Sequence, residues 1–138
     1  MAYTFEEVKT RLKEIEIDEE FDMIVAIACG GIVPAGMLSE KLSLPVKLLH
    51  ISLRDPSNRP MYDAPRLVSD INFDVEGKRI LLVEDRIKTG ATVRYAVDIL
   101  KEKKAALIKT FAVNGEADYS LYNCECFPFP WKLNVIKK

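Results

Sequence analysis

Apolar residues along the chain follow two alternating patterns, one typical of helices and one typical of buried strands. Near the start, Phe5, Val8 and Leu12 recur at the spacing of one helix face, and Thr4 followed by Glu7 fits a capping box. The next run, "DMIVAIA", is continuous, apolar and rich in branched residues, as in a strand covered on both faces of a sheet. The pattern therefore predicts a helix followed by a buried strand.

The same alternation continues to the aromatic tail, where a short strand is expected within irregular structure. Helices that alternate with buried strands indicate an α/β fold, with a mainly parallel sheet and helices on both faces. We expect one domain spanning residues 1–138. After the first helix, the predicted strands are 22–28, 45–53, 66–70, 79–85 and 105–113. The segment 29–42 is predicted to turn through two glycines into a second helix, and 90–103 is predicted to be a third.

Apolar periodicity is lost between the second and third predicted strands. The segment "RDPSNRPMYDAPR", residues 54–66, holds three prolines and two aspartates. Loops of this length inside compact domains are usually functional or disordered. We expect a long exposed loop here.

Composition and charge exclude several classes of partner. Of the 138 residues, 49% are hydrophobic and 30% are charged, and the formal net charge is −1. A charge this close to zero gives no electrostatic case for binding nucleic acid or an anionic membrane. No apolar run approaches the roughly 20 residues that a membrane span needs. The N-terminal "MAYTFEEVKT" lacks the apolar core of a secretory signal, so we expect a cytoplasmic protein.

Cysteine and histidine are too few for two common kinds of site. The chain has three cysteines and a single histidine, His50. Cys124 and Cys126 lie one residue apart, with no second ligand cluster to complete a tetrahedral zinc site. A single histidine also argues against Ser-His or Cys-His catalysis.

The stretch "LLVEDRIKTGATV", residues 81–93, carries the candidate chemistry. It predicts a buried strand that ends at Glu84 and Asp85, a short loop, and a helix that begins at Thr89–Thr92. Small residues at a helix N-terminus present backbone N–H groups and the positive end of the helix dipole to a phosphate. The two acids suit ribose hydroxyls, or a Mg²⁺ ion held through water. We predict a site for a phosphorylated sugar; the alternative is that the acids end a strand and the threonines only cap a helix.

A second glycine-containing turn, "ACGGIVPA", also joins a predicted strand to a predicted helix. Ligands of open parallel sheets bind at the carboxyl ends of the strands. Both turns should therefore face the same edge of the sheet.

Three segments, in this order and spacing, resemble type I phosphoribosyltransferases, especially the xanthine/guanine branch. "LLVEDRIKTGATV" is similar to the signature of that family for phosphoribosyl pyrophosphate (PRPP), and "VAIACGGIVPAGMLSEKL" is similar to its pyrophosphate loop. "FPFPW" resembles the end of the hood that covers the base in those enzymes. The resemblance extends from about residue 20 to Trp131.

This resemblance implies a role for each part of the site. Glu84 and Asp85 would contact the ribose hydroxyls, bind Mg²⁺ through water and, with Lys88, form the catalytic group. The segment 54–66 would act as a lid, and the segment 114–138 would form the hood. The implied PRPP-binding residues are Glu84, Asp85, Lys88, Thr89, Gly90, Ala91 and Thr92, and the implied pyrophosphate loop is Ala28, Cys29, Gly30 and Gly31.

The chain departs from the family pattern mainly where a purine would be recognised. Relatives usually carry an acid at the position of Lys88, so we expect Lys88 to serve affinity more than proton transfer. Relatives often have an arginine at Cys29 for pyrophosphate. At the position of Val113, relatives usually carry a lysine that recognises the exocyclic oxygen of the purine. Near the position of Cys126, many relatives carry an aromatic ring that stacks on the base, and Phe127 is the candidate substitute for that ring here.

Arg86 stands where relatives place an apolar residue beneath the loop. A buried guanidinium without a partner is costly, so we expect Arg86 to reach solvent or to pair with Glu84 or Asp85. Both acids are expected to be exposed at the end of their strand.

The implied activity is transfer of the 5-phosphoribosyl group of PRPP to a nucleobase, with release of pyrophosphate and with Mg²⁺ as cofactor. A purine (xanthine, guanine or hypoxanthine) is the expected acceptor. The expected partners are PRPP, a nucleobase or nucleoside monophosphate, and a second copy of the chain in a homodimer. The altered base-recognition positions leave a second interpretation, a non-catalytic regulatory module that binds PRPP or a nucleotide. A third is a transferase whose acceptor is not a free purine.

Overall fold

The first helix, α1, spans Phe5–Glu14 in the computed structural model, which describes residues 2–52 and 65–133. The predicted capping box is confirmed: the Thr4 hydroxyl accepts a hydrogen bond from the Glu7 N–H at 3.1 Å, and Glu7 Oε1 accepts one from the Thr4 N–H at 2.8 Å. Two donors that a helix start leaves without intrahelical partners are thereby satisfied. Val8 and Leu12 lie on the buried face of α1, as their spacing predicts.

The elements after α1 alternate between strands and helices. In the sheet, six strands follow the order β3-β2-β1-β4-β5-β6. All neighbouring pairs are parallel except β2 and β3, which are antiparallel. The bounds are β1 Met23–Ala28, α2 Ile32–Leu42, β2 Val46–Ser52, β3 Arg66–Leu67, β4 Arg79–Arg86, α3 Ala91–Glu102, β5 Leu107–Asn114 and β6 Tyr119–Tyr122.

The central strands are buried on both faces, which explains their continuous apolar runs. Successive side chains of a strand point to opposite faces. Accordingly, Ile24 and Ala26 of β1 pack in one cluster with Leu38 of α2, and also with α1. Val25 and Ile27 pack in a second cluster with residues of α3. The predicted α/β fold, with a mainly parallel sheet and helices on both faces, is confirmed.

The turn before the second helix agrees with the sequence prediction, and the last strand receives a definite place in the sheet. As predicted, residues 29–31 form a glycine-containing turn between β1 and α2, and the second helix begins after it at Ile32. The last strand, β6, adds to the sheet in parallel beside β5, where the sequence predicted only an unplaced short strand. The predicted lid lies outside the described residues, apart from Pro65 and Arg66.

Within the described ranges, every helix is too short and too polar to cross a membrane.

Candidate functional site

The two glycine-containing turns lie side by side at one edge of the sheet. Strands β1 and β4 are adjacent and parallel, with Ala26 opposite Val83. The turn that leaves β1 and the loop that leaves β4 therefore emerge together at the carboxyl ends of their strands. This is the edge where open parallel sheets bind ligands, and it brings the acid pair of β4 next to the turn at residues 29–31.

Asp85 lies against the backbone of that turn. A β-carbon built on Gly30 would be 2.6 Å from Asp85 Oδ1, so only glycine fits at position 30 without moving the carboxylate. Asp85 Oδ1 also accepts a hydrogen bond from the Arg86 N–H at 2.6 Å. The residue is only 8% exposed. The expectation that both acids are exposed was wrong for Asp85, because the turn after β1 covers it.

A lysine near the end of the described chain pairs with the same carboxylate. Lys132 Nζ lies 3.4 Å from Asp85 Oδ2, and the lysine side chain is 50% exposed. The segment that carries Lys132 follows the "FPFPW" motif, so the predicted hood, here called the hood, contacts Asp85. No pattern in the sequence pointed to Lys132.

Glu84 is half-buried beside Asp85. Its Oε1 accepts a hydrogen bond from the Asp85 N–H at 2.9 Å. Burial, together with the neighbouring negative charge of Asp85, raises the pKa of Glu84 to about 8. At neutral pH the side chain is therefore mostly a neutral acid, which can donate a hydrogen bond as well as accept one.

The loop between β4 and α3 leaves the helix N-terminus open to an anion. Gly90, the N-cap of α3, has a φ of 84°, a conformation that glycine adopts without strain. It provides no side-chain cap, and the first turn of α3 carries no acidic residue. Thr89 lies at the surface, where its hydroxyl accepts from the Ala91 N–H at 3.2 Å, and Thr92 is half-buried. This is the arrangement that binds phosphate at a helix N-terminus.

The N-terminus of α2 has the same character. Its N-cap, Gly31, makes no side-chain cap bond, and the first turn of α2 also lacks acids. The peptide bond between Ala28 and Cys29 is cis, and the Cys29 side chain is exposed. Two helix N-termini, uncapped in the sense that their N-cap glycines supply no side-chain cap, therefore flank the acid pair at one edge of the sheet.

Lys88 is exposed, and it makes no hydrogen bond or ion pair with any residue in the described ranges. Neither Glu84 nor Asp85 is its partner. Its side chain is free to contact a ligand on the phosphate loop.

Arg86 binds the hood instead of either predicted partner. Its guanidinium donates from Nη2 to the Phe127 carbonyl at 2.7 Å and lies 4.9 Å from the centre of the Phe129 ring. Its Nε is buried without a hydrogen-bond partner among the described residues. The cation thus joins the end of β4 to the hood, and the stacking on an aromatic face compensates part of the cost of burial.

The predicted base-binding positions are not gathered into one open pocket. Val113 is fully buried in the core and Phe127 is only 2% exposed, whereas Cys126 is exposed. Within the hood, Phe129 and Trp131 stack with their ring centres 5.0 Å apart. A base could touch Val113 or Phe127 only after the hood rearranges, so their proposed role has no support in this arrangement.

A metal could be held here only together with a ligand. Among the described residues, no group of three or more His, Cys, Asp or Glu side chains converges as a metal site. Glu84 and Asp85 are nevertheless adjacent, and one or two carboxylates plus substrate phosphates form the donor set that Mg²⁺ commonly uses in proteins. The acid pair therefore fits a Mg²⁺ ion that arrives with a diphosphate.

The comparisons with known proteins assign the chain to a family. Residues 5–121 match the model of a family described as the phosphoribosyl transferase domain. Because the match covers most of the chain, the chain belongs to that family. The resemblance noted in the sequence is thereby confirmed.

Three individual proteins illustrate the likeness. The crystal structure of a purine phosphoribosyltransferase from Pyrococcus horikoshii superposes with a TM-score of 0.81 at 26% identity, covering 100% of this chain and 98% of that one. A hypoxanthine-guanine phosphoribosyltransferase of Streptococcus pyogenes is 37% identical over 67 residues, or 42% of this chain and 37% of that protein. An orotate phosphoribosyltransferase of Sulfurisphaera tokodaii is 28% identical over 94 residues, or 68% of this chain and 44% of that protein. The matches thus span less than half the length of these two curated relatives.

Proposed function

We propose that this protein transfers the 5-phosphoribosyl group of PRPP to a nucleobase and releases pyrophosphate. The observation that carries the proposal is the placement of the acid pair Glu84–Asp85 between two uncapped helix N-termini. One N-terminus suits the 5-phosphate, the other suits the diphosphate, and the acids between them suit the ribose. Each part of PRPP therefore has a matching group at this edge.

A purine is the proposed acceptor. Support comes from the Pyrococcus horikoshii protein, named a purine phosphoribosyltransferase, which this chain matches over its whole length. The Streptococcus pyogenes relative is named for hypoxanthine and guanine, and the Sulfurisphaera tokodaii relative is named for orotate. Two purine names against one pyrimidine name favour a purine.

The acids act on the ribose in this mechanism. Glu84, mostly neutral at pH 7, can donate a hydrogen bond to one ribose hydroxyl, and Asp85 can accept one from the next. Departure of pyrophosphate leaves positive charge at C1 of the ribose, and the negative charge of Asp85 stabilises it. A bound Mg²⁺ would neutralise charge on the departing diphosphate.

The test is to incubate the protein with PRPP and Mg²⁺ against separate purines and orotate, and to follow pyrophosphate release. We expect release with at least one of hypoxanthine, guanine and xanthine. Calorimetry should also show binding of PRPP or a nucleoside 5-monophosphate. A folded sample that binds none of these ligands would refute the proposal.

A second candidate is a regulatory module that binds PRPP or a nucleotide without turnover. The observation that favours it is the complete burial of Val113, at the position where relatives carry a lysine that reads the purine. Binding without pyrophosphate release, for every base tested, would select this candidate.

Replacing Lys88 by alanine is expected to weaken PRPP binding by about ten-fold. The side chain is exposed beside the phosphate loop, so its loss removes one charge-assisted contact, worth roughly 1 to 3 kcal/mol and reduced by solvent screening. Titration calorimetry measures the change. The matched control is Lys103→Ala, which removes an exposed lysine at the opposite end of α3 and should leave PRPP affinity unchanged.

The same two variants also test the alternative role of Lys88. If Lys88→Ala binds PRPP as tightly as the native protein but loses pyrophosphate release, Lys88 takes part in the chemistry and the affinity role is wrong.

A further inference from the structure

The turn after β1 has no positively charged side chain. From Ala28 to Ala35 the sequence is "ACGGIVPA", without a charged side chain. Cys29, at the exposed position of the turn, has no cationic form and cannot replace a guanidinium. An anion with several charges would find backbone N–H groups and a helix dipole here, but no counter-charge from the turn itself.

The hood places a cation beside the carboxylate that lies against this turn. Lys132 Nζ lies 3.4 Å from Asp85 Oδ2, and the carboxylate of Asp85 lies against Gly30. At one edge of the sheet, the Asp85 carboxylate therefore lies between the Lys132 ammonium and the turn. No other lysine or arginine in the described ranges forms an ion pair with Asp85.

The backbone at Lys132 is anchored while its side chain is not. The Lys132 N–H donates to the Phe129 carbonyl at 3.0 Å, and the preceding Trp131 stacks on Phe129. The side chain is half exposed, and an ammonium has three donors, of which Asp85 engages one. Lys132 can therefore keep its place in the hood and still turn its ammonium to an anion on the turn.

We propose that Lys132 binds the diphosphate of the ligand, supplying from the hood the cation that the turn at 29–31 lacks; this rests on the proposed function. In the free protein Lys132 is the counter-ion of Asp85. When ligand binds, the diphosphate receives the ammonium, and the Asp85 carboxylate becomes available to the ribose. The role is one of binding and positioning.

Lys132 could instead form an ion pair that only stabilises the hood. Binding measured with several ligands distinguishes this structural role from a role in binding the diphosphate. Inorganic pyrophosphate and PRPP carry a diphosphate, whereas a nucleoside 5-monophosphate carries only the phosphate assigned to α3. A lysine that binds the diphosphate should affect the first two ligands and spare the third. A lysine that only holds the hood in place should affect all three alike or none.

The experiment compares native protein with Lys132→Met, which keeps an apolar stem of similar length, and with Lys132→Arg, which keeps the charge. Calorimetry is run with pyrophosphate, PRPP and guanosine 5-monophosphate, each with Mg²⁺. For Lys132→Met we expect about ten-fold weaker binding of pyrophosphate and PRPP, the effect of one charge-assisted contact, and monophosphate binding within about two-fold of native. Lys132→Arg should retain most of the affinity, and the control Lys101→Ala, on the exposed end of α3, should change nothing.

The outcomes separate this inference from the proposed function. If the native protein binds the ligands and Lys132→Met weakens all three equally, or none, the assignment of Lys132 falls and the proposed function stands. If the native protein binds neither PRPP nor the monophosphate, both fall. Thermal melts show whether each variant is folded, and since Lys132 is half exposed the melting temperatures should agree within a few degrees.

Discussion

Changing Glu84 to glutamine and Asp85 to asparagine together should lower pyrophosphate release at least about a hundred-fold while the chain stays folded. The loss follows because asparagine at position 85 removes negative charge from the place where positive charge develops on the ribose, and glutamine at position 84 replaces the neutral acid that donates to a ribose hydroxyl. The fold should survive because each amide keeps an oxygen that can accept the existing backbone hydrogen bonds, from the Asp85 N–H and from the Arg86 N–H. Initial rates of pyrophosphate release, beside circular dichroism melts, measure both effects.

The matched control for this double variant is Asp98→Asn. Asp98 lies on the exposed face of α3, and its conversion to the amide removes the same charge away from the proposed site. Its rate should equal that of the native protein. A double variant at residues 84 and 85 with an unchanged rate would show that the acid pair does not act on the ribose.

Replacing Glu84 alone by glutamine should stabilise the protein at alkaline pH. Burial beside Asp85 raises the pKa of Glu84 from its ordinary value of 4.5 to about 8 in the folded protein. The unfolded chain therefore releases this proton first, and stability is lost as pH rises from about 4.5 through about 8. Glutamine, which cannot ionise, avoids this loss.

The expected gain is on the order of 2 to 4 kcal/mol at pH 9, which allows for partial exposure and for coupling to Asp85, and it should shrink towards zero near pH 4. Urea unfolding at both pH values measures it. The control is Glu116→Gln, at an exposed position, which should show no such dependence on pH. A glutamine variant at position 84 that is less stable than native at pH 9 would show that the Glu84 carboxylate is well solvated or paired.

Most of the fold could be predicted from the sequence because its signals are local. The capping box at Thr4 lies within one helical turn, and the unbroken apolar runs of β1 and β4 follow directly from burial on both faces. The placement of the acid pair and the open N-terminus of α3 also required only the order strand, acids, glycine, helix. Neighbouring residues decide all of these features.

The parts that sequence reasoning missed depend on contacts between distant segments. The burial of Asp85 requires Gly30 from another turn, and the partner of Arg86 is a carbonyl in the hood, 41 residues away. Lys132 shows no pattern of its own, because a single charged residue near a chain end looks like any solvated lysine. Such pairings arise only once the sheet order has brought the turn, the acid pair and the hood together.

The predicted base-binding positions were harder still to place from the sequence. Val113 lies in the second half of β5, where four successive residues are buried, so a residue at this position is buried whatever its role in relatives. Asn114, the next residue, instead holds the hood: its amide accepts from the Cys124 N–H at 3.0 Å and donates to the Cys124 and Glu125 carbonyls at 3.3 Å.

Because Gly30 contacts Asp85, the substitutions tolerated at one of these positions depend on the residue at the other, although the two are far apart in the chain. A β-carbon at position 30 would lie 2.6 to 2.7 Å from three atoms of the carboxylate, so any other residue there must displace Asp85. Conversely, a smaller residue at position 85 would free position 30 to vary. Random mutagenesis of the turn alone would therefore suggest that the turn itself does not tolerate substitution at position 30. The restriction comes instead from the Asp85 side chain in β4. Libraries that aim to alter this edge of the protein need to vary both positions at once.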